Sequence, residues 1–193
     1  MGSDRLVLAS ASPRRKELLR EIGMEFDVIA SHVDEEQIRE SDPGDLVMSL
    51  AHAKAADVAS EVGRGLVVGA DTIVVIDGTV LGKPADRYDA ARMLRLLAGR
   101  EHQVYSGVSV VDAASRRSLT EYECTDVRIR PLSEETICRY VETGEPMDKA
   151  GAYAIQGIGA LIVEGICGDY SCVVGLPLGR LALMLSHFGL SVL

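Results

Sequence analysis

The stretch Leu66-Val67-Val68-Gly69-Ala70-Asp71-Thr72-Ile73-Val74-Val75-Ile76-Asp77-Gly78-Thr79-Val80-Leu81 decides the fold class. Leu66 to Ala70 is an apolar run of strand length closed by Asp71. Ile73 to Ile76 is a second run, and Asp77-Gly78 turns it into Val80-Leu81 as a hairpin, because that dipeptide tolerates the positive φ of a tight turn. Helical patterns flank it: one from about Gly44 to Val62, and one capped by Asp86 that runs through Met93, Leu94 and Leu97 to Gly99. Helices alternating with strands indicate an α/β protein, while the hairpin excludes a purely parallel, doubly wound sheet. The expected architecture is a mixed twisted β-sheet with flanking helices.

Working outward, Leu6 to Ser10 reads as a strand, and Ser12-Pro13 as a helix start with Ser at the cap. Leu18, Leu19 and Ile22 form that helix's apolar face before Gly23 stops it. A further run, Phe26 to Ala30, leads to the acidic Asp34-Glu35-Glu36. Downstream, Val104 to Val111 and Ser118 to Ile129 flank a polar turn as a second hairpin. Ser133 begins a helix closed by Gly144, and Ala160 to Ile166 is a strand before a C-terminal helix. Neither an internal repeat nor a low-complexity linker appears, so residues 1–193 read as one domain, either a single compact body or two small lobes sharing a core.

Composition narrows the function. Of the 193 residues, 47% are hydrophobic but only 4% aromatic, with no Trp, so the core is aliphatic and a base-stacking platform for nucleic acid is not expected. A net charge of −9 repels polyanions, which argues against DNA or RNA as the partner while leaving room for a small metal-chelated anion. No apolar stretch approaches the roughly 18 residues of a membrane span, and no leader pattern opens the chain; a cytoplasmic location is expected. Cys124, Cys138, Cys167 and Cys172 follow no zinc spacing and read as reduced core thiols.

Four places carry possible chemistry. Ser10-Ala11-Ser12-Pro13-Arg14-Arg15-Lys16 sets hydroxyls and cations at a helix start, where free N–H groups favour an anion; a cap followed by solvated basic residues is the plainer alternative. Lys54 interrupts the apolar stripe Val47, Leu50, Val58, so it either snorkels past the core edge or meets an anion. Asp71, followed by Thr72, stands where a carboxylate could hold a metal or take a proton from water, or merely pair with turn N–H groups; Lys83 in Gly82-Lys83-Pro84 is a second cation after a short strand, or an exposed loop lysine. The polar, glycine-bracketed segment from Asp148 to Gly157 includes Gln156, whose amide complements the N–H and C=O edge of uracil or thymine; a pair of tight turns with a surface glutamine would read the same.

Together, Leu8-Ala9-Ser10-Ala11-Ser12-Pro13-Arg14-Arg15, Gly69-Ala70-Asp71-Thr72, Gly82-Lys83-Pro84, Asp148-Lys149-Ala150-Gly151 and Gly175-Leu176-Pro177-Leu178 resemble, in order, the signature blocks of the Maf family of nucleotide pyrophosphatases. The resemblance implies two lobes around a deep cleft, frequent homodimers, and hydrolysis of nucleoside triphosphates to monophosphate and pyrophosphate with a divalent cation, Mg²⁺ or Mn²⁺. It assigns Asp71 as general base, Glu35 and Asp71 as metal ligands, with Glu35 also helping to activate water, and Ser10, Arg14, Arg15, Lys54 and Lys83 as a phosphate clamp. Arg14, Thr72 and Gln156 match the specificity positions of the branch acting on dTTP and UTP. Cys172 departs from the family, where many relatives carry Asn. The rivals are a non-catalytic nucleotide-binding regulator of septum formation, and a pyrophosphatase for 7-methyl-GTP or non-standard purine triphosphates.

Overall fold

A computed structural model describes residues 5–193. It contains β1 (Leu6–Leu8), α1 (Pro13–Glu21), β2 (Asp27–Val28), α2 (Pro43–Val62), β3 (Leu66–Ile76), β4 (Thr79–Leu81) and α3 (Arg87–Leu97). Then follow β5 (Glu101–Asp112), β6 (Ser118–Ile129), α4 (Glu134–Glu142), β7 (Val163–Cys167), α5 (Tyr170–Val174) and α6 (Leu178–Ser186). The strands form one seven-stranded sheet in the order β2-β1-β3-β5-β6-β7, with β4 paired to β3. β1 pairs in parallel with β2 and β3, whereas β3–β4 and β6–β7 are antiparallel, so the sheet is mixed as its hairpins require.

The chain divides into two compact units: Met1–Thr72 with Ser106–Glu123 and Gly175–Leu193, and Ile73–Tyr105 with Cys124–Val174. In the first, alternate residues of β1, β3 and β5 (Val7, Val67, Val111) bury against Ala55, Val58 and Ala59 of α2. Helix α2 starts at Asp42, whose carboxylate accepts from the N–H groups of Gly44 and Asp45, and ends at left-handed Gly63. Its seat on the sheet depends on two residues without a side chain. A Cβ on Gly69 would collide with Ala51 O and lie 2.7 Å from Ala55 N; one on Gly107 would collide with Val47 O. Backbone therefore rests on backbone.

In the second unit, α3 and α4 pack Leu94, Leu97, Ile137 and Tyr140 onto Val74, Val104, Val127 and Ile129. Asp86 caps α3 through Asp89 N–H and Ser133 caps α4 through Thr136 N–H, both at the positions their sequence signals give.

Several expectations are corrected. Asp71 does not close a strand: β3 runs unbroken through Asp71 and Thr72, because the carboxylate is neutralised by a lysine instead of turning toward solvent. Ser12 occupies the cap position of α1, but its side chain makes no cap hydrogen bond, and Pro13 supplies the start. Residues 157–161 form a 3₁₀ turn, so the last strand begins at Val163 instead of Ala160. Cys124, Cys138, Cys167 and Cys172 form no disulfide, yet Cys138 and Cys167 are exposed and only Cys172 is a core residue.

Candidate active site

Side chains in β3 alternate faces, which sets Asp71 on the side of Gly69, toward α2, and Thr72 on the opposite side. Because Gly69 lets α2 descend onto the strand, Lys54 reaches Asp71: Nζ lies 2.6 Å from Asp71 Oδ1 and 2.8 Å from Glu35 Oε1. The Lys54 and Asp71 side chains are only 10% and 11% exposed, whereas Glu35 is 55% exposed. The lysine thus meets anions instead of snorkelling. Glu35 is presented by the 3₁₀ turn Glu35–Gln37, which Asp34 caps by accepting from Glu36 N–H.

On the other face, Arg15 projects from the first turns of α1. Its Nε donates to Gly175 O at 2.8 Å, Nη1 to Ser10 Oγ at 3.2 Å and Nη2 to Thr72 Oγ1 at 3.3 Å. Thr72 Oγ1 also lies 2.8 Å from Ser106 Oγ and 3.4 Å from Gly175 O. Burial lowers the Arg15 pKa from its usual value; Asp71 and Glu35 oppose that shift and Arg14 adds to it. The charges of Asp71 and Glu35 are therefore felt at Arg15.

The structure brings Ser10, Arg15, Glu35, Lys54, Asp71 and Thr72 together; Arg14 is partly buried on α1 beside them. Ser106 and Gly175 belong to the group but have no role in the sequence reading. Gly175 was visible only as part of a Gly-Leu-Pro-Leu block, and a buried serine in a strand gives no local signal. Lys83 and Gln156 belong to the second unit. Lys83 is exposed after β4, and the preceding Gly82 O accepts from Gly151 N–H.

Gln156 is half-buried just before the 3₁₀ turn 157–161. Glu145 pins that turn, accepting from Ile158 N–H at 3.0 Å, Gly159 N–H at 2.8 Å and Tyr140 Oη at 2.8 Å. Burial works against the Glu145 carboxylate, but these donors outweigh it and lower its pKa. Nearby, His102 Nε2 lies 2.7 Å from Tyr153 Oη while its buried Nδ1 has no partner; burial lowers its pKa to about 4.

Fold and charge together define a mixed α/β protein that carries an ion cluster of Lys54, Asp71 and Glu35 and a guanidinium, Arg15, at the start of α1. The chain belongs to the Maf family, whose description is "Maf-like protein" and whose model matches residues 5–188. A protein of Pelotomaculum thermopropionicum named dTTP/UTP pyrophosphatase is 53% identical over 188 residues, covering 97% of this chain and 98% of that one. One of Symbiobacterium thermophilum with the same name is 54% identical over 184 residues, covering 95% and 94%. Among solved structures, a HAM1 protein from Coxiella burnetii is 16% identical with a TM-score of 0.47, covering 66% of this chain and 73% of that one.

Proposed function

We propose that this protein hydrolyses dTTP and UTP between the α and β phosphates, releasing the nucleoside monophosphate and pyrophosphate. The observation that carries this reading is the buried Lys54 ammonium shared by Asp71 and Glu35 beside the Arg15 guanidinium. Phosphoryl transfer needs charge neutralisation and a positioned water more than covalent chemistry, and this group supplies the charges and a carboxylate to orient the water. Names carried by relatives at about half identity over nearly the whole chain support the same substrates.

The residues fit a divalent cation of the Mg²⁺ type. Asp71 Oδ1 and Glu35 Oε1 both meet the Lys54 ammonium, so a cation would use their other oxygens, Asp71 Oδ2 and Glu35 Oε2; among the described residues no cluster of three or more His, Cys, Asp or Glu forms a closed cage. Mg²⁺ commonly takes one or two carboxylates and completes its shell with water and phosphate oxygens. Asp71 and Glu35 would hold it, and when bound it would supply charge neutralisation on the phosphate oxygens.

Asp71, held in a buried strand by Lys54, orients a water and accepts its proton as the oxygen attacks the α-phosphorus. The electron pair of the breaking P–O bond leaves on pyrophosphate. Arg15, Arg14, Ser10 and the Lys54 ammonium hold triphosphate oxygens, and Lys83 joins that clamp. Gln156 supplies the paired donor and acceptor for the pyrimidine imide edge. A homodimer of such chains completes the reading; among the described residues no helix is long and apolar enough to cross a membrane.

The test is pyrophosphate release from dTTP, UTP, CTP, 7-methyl-GTP and ITP, with Mg²⁺ and with chelator. Cation-dependent release from dTTP and UTP is expected. Release from the purine nucleotides alone would move the reading to the purine branch, and tight binding without release would favour a nucleotide-binding regulator.

A further inference from the structure

We propose that Tyr140, Glu145 and Lys149 are positioning residues for Gln156, which fix the backbone on both sides of it and so set where its amide meets the base. The inference rests on the pyrophosphatase reading, which gives Gln156 the pyrimidine edge.

Gln156 is half-buried, and its amide has no hydrogen-bond partner among the described residues. Its neighbours are held. Two residues before it, Ala154 N–H donates to Tyr140 Oη at 3.2 Å. Just after it, Ile158 N–H donates to Glu145 Oε2 at 3.0 Å and Gly159 N–H to Glu145 Oε1 at 2.8 Å. An ionised carboxylate only accepts, so the Tyr140 proton goes to Glu145 Oε1, 2.8 Å away, and leaves a hydroxyl lone pair for Ala154. Each donor in the set has its acceptor, and one Tyr–Glu pair grips both ends of residues 154–159.

Lys149 secures that pair in turn. Its side chain is only 14% exposed, and Nζ donates to Glu145 O at 2.6 Å and to Asp148 Oδ1 at 2.7 Å. Two glycines make room. A Cβ on Gly157, which sits at φ +64°, would lie 2.5 Å from Glu145 Oε2, and one on Gly159 would lie 2.6 Å from Tyr140 Oη. The carboxylate and the phenol therefore lie directly against the turn backbone. Within residues 154–159 Gln156 is the one polar side chain, so it is the group that this bracket aims.

The experiment measures, in Mg²⁺, calorimetric binding of pyrophosphate and of α,β-imido-UTP, which cannot be cleaved at that bond. The proteins are the full chain, Tyr140→Phe, Glu145→Gln, Lys149→Met, Gln156→Ala, and Tyr140→Phe and Glu145→Gln each combined with Gln156→Ala. Tyr140→Phe, Glu145→Gln and Lys149→Met should each weaken α,β-imido-UTP by about fivefold, because the ligand must restore what one lost hydrogen bond held. Pyrophosphate affinity should hold. With Gln156 already replaced by Ala, Tyr140→Phe or Glu145→Gln should weaken α,β-imido-UTP by less than about twofold more, since no amide is left to aim. Should one of the two fail to fold, the cycle through the other decides. Unchanged α,β-imido-UTP affinity in Tyr140→Phe and Glu145→Gln would overturn the proposal, as would equal losses for the two ligands or additive losses with Gln156→Ala. A wild-type chain that binds both ligands but cleaves no UTP would end the pyrophosphatase reading alone.

Discussion

Replacing Asp71 by Asn keeps the side chain's shape and removes its charge and basicity. Lys54, with a side chain only 10% exposed, then keeps Glu35 as its one carboxylate partner. Removing one member of a buried ion pair costs about 3–5 kcal/mol. Here Glu35, 55% exposed, stays on the ammonium, so the expected loss is smaller, about 2 kcal/mol. For a chain of this length that lowers the melting midpoint by about 4–8 °C. Turnover of UTP should fall by about 10²–10⁴, the usual contribution of a positioned general base, with KM changed little. Adding Lys54→Met removes the uncompensated charge, so the double variant should regain much of the lost stability while remaining inactive. Calorimetric melts and steady-state kinetics on the four proteins of this cycle give both numbers. Asp71→Asn with near-normal turnover and a lowered midpoint would mean that Asp71 only anchors Lys54; an unchanged midpoint would refute the pairing energy.

Other expectations concern separate residues. Because His102 is held near a pKa of about 4 against an ordinary 6.5, the unfolded chain takes up a proton first as pH falls. Stability is complete above pH 6.5 and declines toward pH 4 by about 3 kcal/mol, a decline that His102→Gln should remove in urea titrations across that range. Gly175→Ala forces a Cβ onto φ +125°, 3.3 Å from Thr72 Oγ1, and should cost about 1–3 kcal/mol in thermal stability together with weaker pyrophosphate binding. Glu145→Gln replaces an acceptor of three hydrogen bonds by a group with one acceptor oxygen, so amide exchange at Ile158 and Gly159 should accelerate while pyrophosphate affinity holds.

The sequence made most elements readable because their signals are local: Asp77-Gly78 for the hairpin, Asp86 and Ser133 for helix caps, and the aliphatic stripe of α2. It made Lys54 visible as a charge on that stripe, but its choice between solvent and carboxylate depends on residues brought in by β3 and by the turn at Glu35. The extent of β3 is hidden for the same reason, since a buried aspartate inside a strand is tolerable when a distant lysine neutralises it. Arg14 and Arg15 look alike in sequence. That Arg15 takes the bonds to Ser10, Thr72 and Gly175 follows from the rotation of α1, with partners as far as 160 residues away. Ser106 left no trace, because a hydroxyl buried in a strand becomes meaningful only beside its neighbour.

Two side-chain-free rungs of the sheet, Gly69 and Gly107, lie under α2. Where most helices float on compressible side chains, this one touches the sheet with its own peptide groups at Gly69 and Gly107. The spacing between Lys54 and Asp71 is gauged there by hard contact, as a mechanical stop fixes a sliding part. A change of size at an aliphatic residue farther along α2, such as the fully buried Val58, therefore strains the core before it resets that gap, and the charged group keeps its dimensions.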